Sequence, residues 1–458
     1  MPTTAGLTHR LRVLILPSMK IVHVNAPLPG PKGKVLLDRW HQFEADAVGF
    51  QAPVVWDHAQ GCVVTDVDGN QYLDWTCGVL VTNVGHCHPH LVAAIQKAAG
   101  RLLNNYECAN VERIEAAERL IKALPKHLNR CFFLSTGSEA TEGAHRLMKR
   151  KTGKYEIISF QGGFHGRTYA AASMGGMASP KKGFGPTVPG MIRIPYPNPY
   201  RDPNGWCSEG PDFKRYFDFV EEIIAANSTG SLAGCIVEPY EGAAGFIFPP
   251  AGWLKKLEQW VHSKGLLLTV DEVQASYGRT GKMWAIEHED IKPDILTIGK
   301  AIGCGAPVSA VAATAEVFAC LAKGEMSSTL GGNPVASAAV SAVLDIYERE
   351  PLVANSAKMG AYMKQRLQAL AANCPYLGDV RGMGLIIGLE FVKDKQTKVP
   401  APELIKPLIV DCANHGLLIG SVGQYANVIR VAPPLGITQA EADESLEIMA
   451  GALQRLKL

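Results

Sequence analysis

The chain has 458 residues, of which 47% are hydrophobic and 19% are charged, and its formal net charge is +2. These values are ordinary for a globular protein with room for two domains that share a core, and they give no reason to expect binding to nucleic acid or to a membrane surface. The 11 cysteines include no Cys-x-x-Cys pair, a usage that favours reduced thiols and a cytoplasmic location.

The first 37 residues carry five Lys or Arg residues and no acidic residue. This composition is compatible with an organellar targeting segment, which stays open. A disordered extension over residues 1–18 is the preferred interpretation, because residues 5–12 show little amphipathic order. The apolar run 11–16 is stopped by Pro17, and no stretch of the chain is long and charge-free enough to span a bilayer.

Residues 63–73 predict a β-hairpin with its turn at Asp68-Gly69. Beyond residue 80 the pattern alternates between short apolar runs and helical segments, which predicts a mostly parallel sheet with helical crossovers and therefore an α/β fold. The predicted strands are 131–134, 156–160, 232–237 and 266–270, and the predicted helices are 114–124, 138–149, 217–226 and 252–263.

The C-terminal part predicts a long helix after Pro334, then strands, and one last helix from Gln439. We therefore expect a large domain over residues 80–340. A smaller α+β domain would be built from both chain ends, residues 1–79 and 341–458.

Two apolar runs of the predicted large domain end in charged residues. The run 266–270 leads into Asp271, and the run 295–298 leads into Lys300. Parallel strands deliver such side chains to the sheet edge where ligands bind. A lysine and an aspartate placed there suit pyridoxal phosphate, the lysine forming a Schiff base and the aspartate pairing with the ring nitrogen. A solvated strand end and an ordinary salt bridge are the alternatives.

Four further segments have both a chemical and an ordinary interpretation. The helix start after Gly137 would attract a phosphate, with Ser138 adding a hydroxyl, but the segment also fits a capping box. Phe164, flanked by glycines, can stack on a planar ring or fill a core. Glu238 puts a carboxylate at another strand end, and Thr329 lies in a glycine-rich turn before a helix.

Taken together, these segments resemble the class III aminotransferases of pyridoxal phosphate fold type I, from about Pro53 to the C terminus. The resemblance is carried by Asp271-Glu272-Val273-Gln274, Arg279-Thr280-Gly281, Pro293-Asp294 and Lys300. It implies a homodimer or dimer of dimers that uses pyridoxal 5'-phosphate to move an amino group between an amino acid, or amine, and an α-keto acid.

The resemblance also assigns roles to the residues of the cofactor site. Lys300 becomes the Schiff-base lysine and proton shuttle, Asp271 keeps the pyridinium nitrogen protonated, and Gln274 contacts the phenolic oxygen. Phe164 stacks on the ring, and Thr329 reaches the phosphate in the neighbouring subunit. The full cofactor-binding set is Gly137, Ser138, Phe164, Glu238, Asp271, Gln274, Lys300 and Thr329.

On the substrate side, the resemblance implies that Arg430 binds the substrate carboxylate. Many family members pair this arginine with an acidic residue five positions after the Glu of the Glu-Pro pair, but that position is Ala243 here. Glu241 is the nearest acidic alternative. The departure favours substrates with an α-carboxylate. Val79 is assigned to the substrate side because dialkylglycine decarboxylases carry a glutamine there.

Other activities of the same fold stay open. The amino-acid racemases of the family are the nearest rival, since they share residues 195–201 and 283–288. A dialkylglycine decarboxylase is disfavoured by Val79, and an inactive binding protein by the intact Lys300, Asp271 and Gln274.

Two further motifs are interpreted as having no metal-binding or cofactor-binding function. No metal is predicted at His86, Cys87, His88 and His90, because the family has a similar turn without metal. The pair Gly382-x-Gly384 opens no βαβ unit, so no dinucleotide site is predicted.

Overall fold

A computed structural model of the protein describes residues 20–49 and 51–458. The prediction for residues 1–18 lies outside these residues. The strands are β1 Trp56–Gln60, β2 Val63–Asp66, β3 Gln71–Asp74, β4 Arg130–Leu134, β5 Glu156–Phe160, β6 Met191–Ile194, β7 Leu232–Val237, β8 Leu267–Asp271, β9 Ile295–Ile298, β10 Ser309–Ala313, β11 Leu377–Gly382, β12 Ile387–Phe391, β13 Leu417–Leu418, β14 Gly420–Val422 and β15 Val428–Val431.

The helices alternate with these strands through the middle of the chain and dominate its last third. They are α1 Pro31–Phe43, α2 Cys77–Leu80, α3 Pro89–Ala99, α4 Val111–Ala123, α5 Gly137–Thr152, α6 Tyr169–Met174, α7 Lys214–Asn227, α8 Trp253–Ser263, α9 Ala315–Phe318, α10 Pro334–Arg349, α11 Leu352–Asn373, α12 Ile405–Asn414 and α13 Gln439–Arg455. Within the described ranges, no helix has the length and apolar content needed to cross a membrane.

A seven-stranded sheet forms the centre of the molecule, in the order β4-β10-β9-β8-β7-β5-β6. Neighbours from β9 to β6 are parallel, whereas β10 runs antiparallel to both β4 and β9. Every residue of β5, β9 and β10 is buried, because the sheet is covered on both faces. The predicted α/β class with a mostly parallel sheet is confirmed.

Two four-stranded sheets complete the fold, in the orders β1-β2-β3-β13 and β11-β12-β15-β14. The predicted hairpin is present as β2 and β3. Strand β13 pairs in parallel with β3, so residues near both ends of the chain share one sheet. This pairing supports the predicted division into a large domain over 80–340 and a small one from 1–79 and 341–458, which stays a prediction.

The buried guanidinium of Arg279 joins the chain ends to the central part. It donates to the carbonyl oxygens of Leu385 at 2.9 Å and Pro433 at 2.6 Å, and to the side-chain oxygen of Asn83. It also contacts Cys77 Sγ at 3.3 Å. Because these partners belong to segments far apart in sequence, Arg279 fixes the C-terminal segments against the central sheet.

The long helix predicted after Pro334 is divided into α10 and α11, and a further helix of the C-terminal part was not predicted. Helix α12 begins shortly after Pro402 and contains Pro407, and three prolines within eight residues favour a loop interpretation. The structure tolerates Pro407 because it lies in the first turn, where the backbone N–H has no partner within the helix.

Candidate active site

Three segments that the sequence placed at strand ends meet at one point. A methyl group on Gly137 would lie 2.7 Å from Val273 Cγ1, and one on Gly299 would lie 3.0 Å from the same atom and 3.5 Å from Gly137 Cα. The backbones approach so closely that only glycine fits. This contact brings the start of α5, the segment after Asp271 and the residue before Lys300 together.

Asp271 ends β8 and is buried. Its Oδ1 accepts hydrogen bonds from Thr297 Oγ1 at 2.9 Å and from the N–H of Val273 at 3.0 Å. Its Oδ2 lies 2.8 Å from His165 Nδ1, which donates to it. These three donors hold the Asp271 carboxylate in one orientation inside the protein.

His165 and Thr297 are site residues that sequence reasoning missed. Burial by itself lowers the pKa of His165, but the hydrogen bond and charge of Asp271 outweigh burial and raise that pKa above its usual value. The signal was present in the sequence, because His165 directly follows Phe164. Thr297 gave no signal, since a threonine in an apolar strand is ordinary.

Glu238 fixes the loop that carries Phe164. Its Oε1 accepts the N–H of Phe164 at 2.7 Å, and its Oε2 accepts the N–H of Gly242 at 3.0 Å. Burial raises the pKa of Glu238 to about 7, and the nearby His165 opposes that rise. The half-buried ring of Phe164 lies 6.0 Å from the guanidinium carbon of Arg167.

Lys300 begins a single 3-10 turn and has a positive φ of 48°, a conformation that non-glycine residues rarely adopt. Burial lowers the pKa of Lys300, and the charge of Arg430 lowers it further. The charges of Asp271 and Glu238 act in the opposite direction but do not cancel the effect of burial. The neutral amine is therefore more accessible than in a solvated lysine.

The start of helix α5 is capped by a reciprocal pair. Thr136 Oγ1 accepts the N–H of Glu139 at 3.2 Å, and the Glu139 carboxylate accepts the N–H of Thr136 at 2.9 Å. Both the capping box and the anion site fit, because Ser138 follows the cap. Ser138 Oγ accepts the N–H of Arg167 at 3.1 Å, so its hydroxyl proton can be donated to a ligand.

Gln274 lies over Gly242, where a methyl group would stand 2.7 Å from the amide carbon of Gln274. The amide oxygen of Gln274 is buried and has no hydrogen-bond partner. A buried polar atom of this kind is costly unless a ligand or water reaches it.

Arg430 lies on β15 and is only 4% exposed. Within the described residues no carboxylate forms an ion pair with it, and its Nε has no hydrogen-bond partner. Burial lowers the pKa of Arg430, while the charge of Asp74 partly compensates. A guanidinium held in this way is suited to receive an anion.

Glu241, the nearest acidic alternative as a partner for Arg430, forms no ion pair with it in the described residues. The carboxyl carbon of Glu241 would be 2.9 Å from a methyl group on Gly162, and the side chain lines a cavity of about 170 Å³ together with Arg201. Burial raises the pKa of Glu241 well above its usual value. In this conformation the Glu241 carboxyl group lies beside the Phe164 loop, and its burial favours the neutral form.

Val79 is 44% exposed and has a φ of 66°, within a left-handed turn formed by Cys77, Gly78, Val79 and Leu80. The turn adjoins the strand of Arg430, because Ala432 donates its N–H to the carbonyl of Trp75 at 2.9 Å. Thr329 is exposed on the loop before α10, and in the described part of the chain no hydrogen bond joins it to Ser138 or Lys300.

The histidines near residue 88 bind separate acids. His86 lies 2.8 Å from Asp74, His88 lies 2.9 Å from Glu350, and His90 lies 3.0 Å from Asp345. Across residues 20–49 and 51–458 no three His, Cys, Asp or Glu side chains are grouped to hold a metal ion.

The residues present fit pyridoxal phosphate. The start of α5 with Ser138 suits its phosphate, and the Asp271 carboxylate suits its protonated ring nitrogen. The unpartnered amide oxygen of Gln274 can accept a hydrogen bond from its phenolic hydroxyl group. Lys300, with its lowered pKa, supplies the amine that its aldehyde requires.

Known proteins are similar to this chain over most of its length. The sequence profile described as "Aminotransferase class-III" matches residues 45–453. The alanine/serine racemase of Pyrococcus horikoshii is 34% identical over 97% of this chain and 94% of its own length. The probable 4-aminobutyrate aminotransferase of Bacillus subtilis is 33% identical over 86% and 92%, respectively.

A solved structure shows the same fold with the cofactor. The PLP-bound amine transaminase from an uncultivated Pseudomonas species superposes with a TM-score of 0.84 at 30% identity, covering 91% of this chain and 98% of that one. The chain belongs to the class III aminotransferases, fold type I enzymes that use pyridoxal 5'-phosphate to move an amino group between an amino donor and an α-keto acid.

Proposed function

We propose that this enzyme transfers the amino group of an α-amino acid to an α-keto acid, with Lys300 as the covalent attachment point and proton carrier. The observation that carries the proposal is the buried, unpaired guanidinium of Arg430, which is close enough to Lys300 to lower its pKa. A substrate carboxylate would relieve the cost of burying that charge.

Each residue has a definite task in this proposal. Bound pyridoxal phosphate supplies an aldehyde that captures the substrate amine and a ring that accepts the electrons of the Cα–H bond. Asp271 keeps a proton on the ring nitrogen, and Phe164 stacks on the ring. Lys300 Nζ takes the proton from Cα and returns it elsewhere. Arg430 holds the carboxylate so that the Cα–H bond faces Lys300.

The remaining cofactor contacts are part of the same proposal. Gly137 and Ser138 would hold the phosphate, and Gln274 the phenolic oxygen. Glu238 fixes the backbone of Phe164. Val79 would line the substrate side of the pocket. A cytoplasmic location is part of the proposal, and the 11 free thiols support it.

Racemisation is the second candidate function, favoured by the similarity to the alanine/serine racemase of Pyrococcus horikoshii. The two activities differ in where the proton returns. The test is the optical rotation of a single L-amino acid incubated with the holoenzyme. We expect no decay without a keto acid and stoichiometric conversion once one is added. Catalytic decay toward the racemate in the absence of keto acid would replace aminotransfer with racemisation.

Replacing Arg430 with alanine should damage turnover of α-amino acids far more than turnover of amines that lack a carboxylate. Losing one partner of a buried charged contact costs about 2–5 kcal/mol, so kcat/KM for an α-amino acid should fall more than tenfold. The ratio of kcat/KM for the two substrate types is the measurement. Arg366→Ala, on the exposed face of α11, is the matched control. Equal losses for both substrates would contradict the assignment.

We also propose that the active unit is a homodimer or a dimer of dimers, with Thr329 serving the phosphate of the neighbouring subunit. The exposed Thr329 adjoins Leu330, which is 57% exposed. A methyl group on Gly332 would lie 3.1 Å from Arg113 Nε, so this loop lies beside the start of α4. That region exposes further large apolar side chains: Leu103, Tyr106, Val111 and Ile114. A group of exposed large apolar side chains in this part of the fold supports a protein interface.

Mixed dimers test this proposal directly. Chains with Lys300→Ala and chains with Thr329→Glu should each be nearly inactive. After subunit exchange, hybrid dimers would contain one site with both residues intact, so roughly a quarter of wild-type activity should return. Sedimentation should show at least a dimer. A fully active monomer, or exchange without recovery, would contradict the assignment of Thr329.

A further inference from the structure

Gly420 lies opposite Arg430 in the antiparallel pair of β14 and β15. A methyl group on Gly420 would lie 2.5 Å from Nη2 and 2.7 Å from Nε of Arg430, and it would overlap the side-chain oxygen of Gln51. The amide of Gln51 and the guanidinium of Arg430 therefore share the space above a glycine, which only glycine leaves open.

Both groups are unsatisfied in this conformation. Gln51 Oε1 and Arg430 Nε are buried atoms without a hydrogen-bond partner. Buried polar atoms without partners are rare and costly in native structures. Two complementary ones beside the same glycine indicate a place that a ligand completes.

The acidic side chains that could neutralise Arg430 contact other residues instead. Asp74 Oδ1 accepts the N–H and the hydroxyl of Thr76, both at 2.6 Å, and its Oδ2 lies 2.8 Å from His86 Nε2. Glu241 lies beside Gly162, and position 243 is an alanine. Gln51 is therefore the side chain best placed to face Arg430 when no substrate is bound.

We infer that Gln51 is a specificity-determining residue, the neutral side chain beside Arg430 when no substrate is bound and a second hydrogen-bond donor to the substrate carboxylate. This inference rests on the proposed carboxylate-binding role of Arg430 and deepens it. With the site empty, the amide carbonyl faces the guanidinium. When a carboxylate arrives, the amide turns and its NH2 group donates to the oxygen that Arg430 leaves free.

A neutral partner defines the substrate class. An acidic residue could pair with the arginine and make room for a substrate without a carboxylate at the reacting carbon, but an amide cannot neutralise the charge. Such a substrate would leave Arg430 buried and unpaired. The donor and the acceptor should therefore both carry a carboxylate next to the reacting carbon, which describes an α-amino acid and an α-keto acid.

The test places an acidic side chain beside Arg430. Gln51→Glu should pair with Arg430, raise KM for an α-amino acid roughly tenfold or more, and shift the kcat/KM ratio toward carboxylate-free amines by a similar factor. The value of kcat for the amino acid should change less than its KM. The matched control is Gln60→Glu, which adds the same charge at an exposed position on β1 and should leave both constants unchanged.

A binding measurement covers the case in which Gln51→Glu fails to fold. Gln51→Leu removes both hydrogen-bonding groups and should weaken the binding of butyrate to the holoenzyme about three- to tenfold by calorimetry, whereas Gln60→Leu should not. Unchanged selectivity and unchanged butyrate binding, in an enzyme where Arg430→Ala still raises KM, would overturn the role of Gln51 alone. If Arg430→Ala also had no effect, the proposed function would fail with it.

Discussion

Lys300→Ala should abolish turnover, with kcat falling at least about 10³-fold. The attacking amine and the proton carrier disappear together, and proton transfer by a positioned side chain alone contributes about 10² to 10⁴. The chain should still fold and hold pyridoxal phosphate through Ser138 and Asp271. The visible absorbance that depends on a covalent bond between the lysine and the cofactor should be lost. Steady-state kinetics and absorbance spectra measure the two effects.

A surface lysine provides the control for this variant. Lys292→Ala lies in the loop just before β9 and is exposed, so it should leave kcat and the spectrum unchanged. Substantial turnover by Lys300→Ala without added amine would mean that another group carries the proton.

Asp271→Asn should reduce kcat by at least about 10²-fold, the scale of one key electrostatic contact. The substitution keeps the shape but removes the charge that would hold a proton on the ring nitrogen. It also places an amide against the donors Thr297 and His165. Because the Asp271 carboxylate raises the pKa of His165, that pKa should fall in the variant. An NMR titration of the imidazole provides a readout independent of turnover.

The control is a second aspartate–histidine pair outside the site. Asp57 lies 2.9 Å from His58 Nδ1, and both side chains are exposed. Asp57→Asn should leave kcat near the wild-type value. Near-normal turnover by Asp271→Asn would place the partner of the ring nitrogen elsewhere.

The cofactor side of this site was predictable because its residues obey a local rule. An apolar run that stops at a charged residue predicts a buried strand and the side chain at its end, and this rule is enough to locate Asp271, Glu238 and Lys300. The direction of β10 was not predicted. Only residues 299–308 separate it from β9, too few for a crossover helix, so the strand returns antiparallel.

The substrate side was less predictable because it depends on contacts between distant segments. No pattern around Gln51 indicates that it meets Gly420 and Arg430, and no spacing shows that Glu241 turns toward Gly162. His165 directly follows Phe164, and the sequence interpretation assigned a role in cofactor binding only to Phe164. Tertiary packing sets the direction of side chains in loops. A single sequence has no periodic pattern from which this direction can be predicted.

The pairing of β3 with β13 has a consequence for synthesis on the ribosome. Leu73 on β3 pairs with Leu417 on β13, so the first small sheet is complete only when almost the whole chain has emerged from the ribosome. Until then β3 presents an open edge with unpaired backbone groups, which can capture another nascent chain. Arg430 also arrives late, after the central sheet with Lys300 can already have formed. A chain truncated before β13 should therefore aggregate through this edge.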